Sequence, residues 1–321
     1  MERVRVFAPA SASNLGPGFD VLGLALQQPG DIVEAELAET IGVELVAVHG
    51  STNLTTDPTQ NVVCIAAASV LREANVSNSV GVRLWLHKKM PLSSGLGSSA
   101  ASSVAGALAT HHLLDSKLNR EQLIQCALEG EAAVSGTPHA DNVAPSLLGG
   151  IVLIRSCNPL DVISLPVPSW LRIVVVHPHT TVKTSEARNL LKNQNFSIGK
   201  VVQNLGNLGA FVDALHTKNR ELFGRAISDA LVEPIRAHLV PAFAKVKQAA
   251  LDAGGLGCSI SGSGPSVFAF SDSDDGAMAV ADSVQSVFSE EGFASDQYVG
   301  SVNTRGAIPV SYTHLKLPTK A

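Results

Sequence analysis

Aromatic side chains are scarce: they make up 4% of the 321 residues, with two tryptophans and two tyrosines. So few flat side chains leave little with which to build a base-stacking platform. Charge is also thin, at 16% of residues with a net of −5, so no basic face for a nucleic-acid backbone is expected. The four cysteines, Cys64, Cys126, Cys157 and Cys258, stand far apart and form no C-x-x-C pair. That spacing sets aside a zinc site and a disulfide framework. No apolar run reaches the length of a membrane span, and the opening MERVRVFAPA has no apolar signal-peptide core. The expectation is a cytoplasmic protein with no nucleic-acid and no membrane partner.

What is present is aliphatic. Hydrophobic residues reach 45%, enough for a real core and against intrinsic disorder. At the usual domain size the length corresponds to about two domains. Alternation predicts strands at Glu2–Phe7, Asp31–Leu37, Val43–Val48, Val80–His87 and Gly150–Arg155, with a loop over Ala8–Asp20. Helical spacing covers Asn61–Ala74, the Ala-rich stretch after the Gly/Ser run near residue 95, and a segment that opens at Asn119, a good N-cap. Pro159, Pro166 and Pro168 mark an inter-domain boundary near Pro159–Trp170. Beyond it come a strand at Leu171–Pro178 and helices at Ser185–Asn193, Lys200–His216, Arg220–Asp229 and Pro241–Asp252. Two strands joined by a Gly/Ser turn, a helix at Gly276–Glu290 and a strand at Gln297–Asn303 follow. Strands and helices interleave without a fixed βαβ repeat, which favours two α+β domains, 1–165 and 166–310. The last segment, SYTHLKLPTKA at 311–321, has neither period nor cap and reads as a non-native or disordered tail.

The strongest local signal is Pro91–Ala100, PLSSGLGSSA, which follows a strand and opens a helix. Gly95 and Gly97 allow successive N–H groups to turn inward, and the helix N-terminus adds partial positive charge there. The hydroxyls of Ser98 and Ser99 can serve phosphate oxygens or magnesium. This describes an anion cradle that is not a Walker A loop; a flexible linker ahead of a helix would have the same composition. On the early loop, Asn14 and Asp20 offer an amide and a carboxylate to a ligand, or else hydrogen-bond their own turn. Glu131, near a helix end, and His139-Ala140-Asp141-Asn142, in the turn after it, could converge on the cradle with Glu131 as a magnesium ligand. The plain alternatives are a solvated face shared with Glu129, and a structural histidine. Small residues over Gly254–Ser266 permit close backbone approach or simply a tight hairpin turn. Arg188 and Arg236 suit bidentate carboxylate binding, or ordinary surface ion pairs.

Taken in order, PASASNLGPGFDVLGLAL, PLSSGLGSSAASS, HADNVAPSLLGG, TSEAR, LVEPIRAHLVP and CSISGSGPSVFAF resemble the motifs of the GHMP kinases. The finer detail is similar to the members that phosphorylate homoserine, and the resemblance runs from about residue 3 to Val310. It implies an N-terminal domain like ribosomal protein S5 domain 2, a ferredoxin-like C-terminal domain, and ligands in the cleft between them. It also implies ATP with Mg2+, phosphorylation of the side-chain hydroxyl of L-homoserine to O-phospho-L-homoserine for threonine biosynthesis, and a homodimer. A kinase of the same fold acting on threonine or mevalonate, or a non-catalytic binding protein, are the alternatives. The paired arginines and HADN favour an amino acid over mevalonate.

Carried onto this chain, the resemblance assigns the ATP phosphates to the backbone of Ser94–Ser99. The wider ATP-binding stretch is Pro91, Leu92, Ser93, Ser94, Gly95, Leu96, Gly97, Ser98, Ser99 and Ala100. Asn61, Val62 and Lys88 would lie at the nucleoside pocket. Ser98, with Ser99 as a substitute, and Glu131 would hold the metal. Asn14, Asp20, His139, Asn142, Arg188 and Arg236 would line the homoserine site, the arginines facing the carboxylate, Asp20 the amino group and Asn14 the reacting hydroxyl. Asn14, Glu131 and Asn142 would be the catalytic residues. Several members carry an aspartate base where Asn142 stands here, and an amide takes no proton at neutral pH. Direct attack by a positioned hydroxyl, without an obligatory protein base, is therefore expected, with Asp141 the alternative.

Overall fold

Strand character runs further along the N-terminal segment than its alternation suggests. In this computed structural model, which describes residues 3–51 and 53–310, β1 spans Val4–Ser13. It therefore takes in the APASAS stretch expected as loop. Ala8, Ala10, Ser11, Ala12 and Ser13 are all buried, because a helix packs directly on this strand and only small side chains fit. Glu2, the expected strand start, and the tail 311–321 lie outside the described residues.

Chain order then runs β2 (Leu22–Ala38), β3 (Gly42–His49), α1 (Val62–Glu73), β4 (Gly81–His87), α2 (Ser98–Leu113), α3 (Arg120–Ser135), α4 (Ala140–Leu148), β5 (Ile151–Cys157) and β6 (Leu160–Leu165). β2 was expected only over Asp31–Leu37. It is long because its two ends serve different neighbours: Leu22–Leu24 pairs with β5 and Ile32–Ala38 with β4. Its register against β1 slips between Pro9 and Ser11. HADN, expected in a turn, opens α4 instead. β6 occupies the Pro-bounded segment taken as a boundary, paired with β5. α2 is buried along nearly its whole length between the sheet, α1 and α3. A Cβ on Gly106 would come 2.7 Å from the Val63 carbonyl oxygen, which explains the Ala/Ser/Gly composition of this helix. Asn119 caps α3 in a full capping box with Gln122, as its position predicts.

The second half contains β7 (Arg172–Pro178), α5 (Thr184–Asn189), α6 (Ile198–Thr217), α7 (Arg220–Ala226), α8 (Glu233–Arg236), α9 (Phe243–Asp252), β8 (Gly257–Ile260), β9 (Val267–Ser271), α10 (Asp274–Glu290) and β10 (Ser295–Ser301). The final β11 (Ile308–Pro309) returns to pair with β1 in the first sheet. The second sheet is antiparallel in the order β10-β7-β9-β8, a ferredoxin-like arrangement. The helices expected to run to Asn193 and Asp229 are shorter. Asp229 instead turns its carboxylate onto the N–H groups of Leu231, Val232 and Glu233, organising the entry to α8. Phenylalanine is concentrated in this half: Phe211, Phe223, Phe268 and Phe270 pack edge to face or tilted, with centroids 5.1–5.3 Å apart. Among the described residues no helix is long and apolar enough to cross a membrane.

One buried ion pair ties the first sheet to the start of α2. The Lys88 ammonium pairs with Asp31 and also donates to the Ser98 carbonyl at 2.8 Å and Ser102 Oγ at 2.9 Å. Asp31 takes further bonds from the N–H groups of Lys89 and Met90 and from Ser102 Oγ. Burial pulls the lysine below its ordinary pKa, opposed by the Asp31 charge. Asp31→Asn strands that ammonium without a counter-charge and should cost about 3–5 kcal/mol of stability. The loss reads as a lower urea midpoint, partly recovered in the Asp31→Leu/Lys88→Met double variant.

Candidate active site

The phosphate-loop sequence is held from outside by its carbonyl groups. Ser93 O accepts from Val182 N–H at 3.2 Å, and Leu96 O from Ser11 N–H at 3.1 Å. Between them, Ser94 O accepts from Ser266 Oγ at 2.6 Å and Gly95 O from Ser261 Oγ at 2.7 Å. A peptide plane carries its C=O and the following N–H in opposite directions, so N–H groups along the loop face the cleft. Among the described residues none of the Ser94–Ser99 N–H groups has a protein acceptor. Ser93, Gly95 and Gly97 have φ of 52°, 78° and 63°. A Cβ on Gly95 would meet the Ser261 carbonyl at 2.3 Å, and one on Gly97 would meet Ser11 Oγ at 2.1 Å. Such a loop, immobilised and opening onto the N-terminus of α2, is fixed rather than a flexible linker and has the backbone geometry of a nest that could receive an anion.

This nest forms part of a cleft of about 400 Å³ lined from both halves of the chain. Ser98 Oγ is buried there with no hydrogen-bond partner among the described residues. Glu131, on α3, is buried, unlike its neighbour Glu129, which pairs with Arg72 at the surface. The Glu131 carboxylate accepts from His139 Nδ1 at 3.1 Å. Burial pulls the His139 imidazole down, but the Glu131 bond and the Glu131 and Asp141 charges outweigh it and hold the group above its ordinary pKa. His139 Nε2 is buried and has no partner among the described residues. An orphaned serine hydroxyl beside a buried carboxylate and a phosphate nest fits a hard divalent cation that arrives with phosphate oxygens. Among the described residues no group of three or more His, Cys, Asp or Glu side chains would hold a metal unaided.

At the other end of the cleft, opposite charges stand close together. Arg188 grips Asp20 with two bonds of 2.9 and 3.0 Å. Arg236 is 3% exposed and donates to the carbonyls of Ala187 and Gly262. It has no carboxylate in ion-pair contact among the described residues. Burial and the Arg188 charge bring its guanidinium down to about 10, still charged at neutral pH. Asp141 is buried, and burial together with the Asp20 charge pushes its carboxyl up to about 6. Asn142 accepts from Ser11 Oγ at 3.0 Å and donates to Ser13 Oγ at 3.1 Å, which seats it between β1 and the nest. The Asn14 amide donates to Gly262 O at 2.9 Å and accepts from Asp20 N–H at 3.1 Å, so it fastens the early loop to the Gly262 turn.

Every side chain selected from the sequence for the homoserine and metal positions lines this one cleft, as do Asn61, Val62 and Lys88. Asn61 is occupied as the N-cap of α1, accepting from Val63 N–H, while its amide donates to Thr55 O. Lys88 presents no free ammonium there, since that group is committed to Asp31 and α2. Pro91, Leu96 and Ala100 support the loop from outside the cleft lining. Sequence reasoning missed Phe19, whose ring lies 5.0 Å from the Arg236 guanidinium and 5.7 Å from that of Arg188. Its signal was present, an isolated aromatic between Gly18 and Asp20 in a chain poor in aromatics. Lys183 was also missed. It is exposed at the start of α5, lines the cleft, and its ammonium has no partner among the described residues.

Comparison with known proteins identifies the family and the fold. The family model "GHMP kinases N terminal domain" matches residues 61–150, and "GHMP kinases C terminal" matches 211–290. The homoserine kinase of Chlorobaculum tepidum is 42% identical over 98% of this chain and 100% of its own. The crystal structure of homoserine kinase from Cytophaga hutchinsonii superposes with a TM-score of 0.93 at 44% identity, covering 97% of this chain and 98% of that one. The mevalonate kinase of Methanococcus jannaschii shares the fold alone, with a TM-score of 0.70 at 15% identity, over 94% of this chain and 98% of the other. With the nest, the cleft and near-full-length similarity in agreement, the chain belongs to the GHMP kinase family, among its homoserine kinases.

Proposed function

We propose that this protein transfers the γ-phosphoryl group of ATP to the side-chain hydroxyl of L-homoserine, giving O-phospho-L-homoserine and ADP. The observation that carries the reading is Arg236, a buried cation with no carboxylate in contact, set beside the Asp20–Arg188 pair. A buried charge without a counter-ion is costly, and a small zwitterion supplies one. Its carboxylate would face Arg236 and Arg188, and its ammonium Asp20 and Asp141. Because Asp20 and Arg188 already face each other, binding exchanges one set of ion pairs for another rather than stripping bare charges. The Phe19 ring supports both guanidinium groups from below.

In this reading ATP lays its phosphates on the Ser94–Ser99 N–H groups, with the nucleoside toward Asn61 and Val62. Ser98 and Glu131 would hold Mg2+, which when bound neutralises phosphate charge. His139 orients Glu131 through its Nδ1 proton, and Lys183 adds a positive charge at the rim. Phosphoryl transfer depends mainly on positioning and charge neutralisation. Asn142 and Asn14 would direct the hydroxyl toward the nest. Its oxygen forms the new bond to phosphorus as the bond to ADP breaks, and its proton passes to an oxygen of the transferred phosphoryl group or to solvent, without an obligatory protein base. Asp141 supports a second reading of that last step, since a carboxyl near pH 6 accepts a proton where an amide does not.

With Mg-ATP, ADP release should be fastest with L-homoserine when compared with L-threonine, mevalonate and a no-acceptor blank. A homoserine rate equal to the blank overturns the proposal. Arg236→Ala should weaken homoserine by roughly 2–5 kcal/mol, read as a raised KM. An unchanged KM would count against the assignment. Homoserine KM should rise as pH falls through about 6, where Asp141 takes up a proton and loses its attraction for the ammonium. That dependence should vanish in Asp141→Asn. A fall in kcat rather than a rise in KM over the same range would assign Asp141 to proton transfer.

A further inference from the structure

Behind the phosphate loop, a line of hydrogen bonds runs through three residues from the second sheet to the nest. His177 lies near the end of β7 and is 4% exposed. Its Nδ1 is 3.0 Å from Ser266 Oγ, which is in turn 2.6 Å from the Ser94 carbonyl oxygen. The Ser266 N–H also reaches that oxygen, at 3.2 Å. A carbonyl only accepts, and a hydroxyl has a single proton to give. Ser266 therefore spends its proton on Ser94, and the bond to His177 has to be donated by the imidazole. That argument fixes the tautomer, with the proton on Nδ1.

The consequence passes through one peptide plane. The Ser94 carbonyl and the Gly95 N–H share it and point in opposite directions. Holding the carbonyl against Ser266 aims the Gly95 N–H into the cleft. We propose that His177 is a positioning residue for the phosphate loop, its Nδ1–H orienting the Ser266 hydroxyl that fixes the Ser94–Gly95 peptide. Burial and the His179 charge hold the imidazole down at about 4, so the ring stays neutral at working pH and its donor role rests on the tautomer. His177 does not line the nucleotide cleft, which separates this role from direct ligand contact.

The inference rests on the reading of Ser94–Ser99 as the phosphate site, so nucleotide affinity is measured directly by calorimetry with Mg-ATP, apart from turnover. The side-chain amide of asparagine carries its nitrogen the same number of bonds from the backbone as histidine Nδ1. His177→Asn should therefore bind Mg-ATP as the parent does. His177→Leu keeps the bulk without the donor and should lose about tenfold in affinity, the scale of one hydrogen bond, with homoserine KM unchanged. Ser266→Ala should lose a similar factor, and the His177→Leu/Ser266→Ala pair should be no worse than Ser266→Ala alone, since both act on one bond. Equal losses in His177→Asn and His177→Leu, or additive losses in the pair, would reduce His177 to packing and overturn the proposal. Should His177→Leu fail to fold, His177→Asn and Ser266→Ala decide: a weakened asparagine variant or an unaffected alanine variant sinks it. Tight Mg-ATP binding in a parent that does not phosphorylate homoserine would defeat the functional proposal and leave this one standing.

Discussion

The fixed orientation of the peptide groups over Ser93–Gly97 is the constraint on which the rest of the molecule depends. An anion site made of backbone N–H groups has no side chain to aim, so the carbonyls must be immobilised on the opposite side. Here that is done by Val182, Ser266, Ser261 and Ser11. The first three belong to the second half of the chain, so the nest is complete only when both halves are docked. The glycines at 95 and 97 follow from that demand, because a Cβ on Gly95 would strike the Ser261 carbonyl and one on Gly97 the Ser11 hydroxyl. The Lys88–Asp31 pair secures the same loop from below through the Ser98 carbonyl and Ser102.

The cleft combines two different solutions to binding charge. In the proposed reading, phosphates would meet backbone dipoles and a helix terminus, which remain charged in effect at every pH. The other end holds ionised side chains, Arg188 paired with Asp20, and Arg236 with no carboxylate in ion-pair contact among the described residues. That imbalance is destabilising for the empty protein and is the kind of local cost that functional sites carry. It also accounts for the shifted groups at this end, where burial, together with the Asp20 charge at Asp141 and the Arg188 charge at Arg236, sets each pKa. Most of the phenylalanines pack in the core, Phe211, Phe223, Phe268 and Phe270 among them, while Phe19 lines the cleft beside the two arginines.

Much of the fold was legible because periodicity and caps are local. α1, α3, α10, β4, β7 and the β8–β9 turn follow from spacing, N-cap residues and glycine placement. The misreadings share a cause. Alternation stops β1 short of APASAS because a strand covered by a tightly packed helix needs small residues and loses the large-apolar alternation that marks strands. β6 was hidden by its flanking prolines, and HADN looked like a turn although its backbone continues into α4. In the site, Lys88 resembles a ligand residue in sequence, and only its burial against Asp31 shows its ammonium to be committed within the fold.

By itself the sequence determined the ordered set of motifs, and with it the family, the cradle of Gly95 and Gly97, and the charged residues available to a small zwitterion. Those depend on residue identity and short spacing, which a linear chain displays in full. Only the tertiary structure decided which charges were already paired, that Asn14 is engaged with Gly262, that Phe19 underlies both arginines, and that His177 stands behind the nest. Each of these joins residues widely separated in sequence. Burial then sets the energetic weight of every such contact, and burial is a property of the packed chain that no local pattern contains.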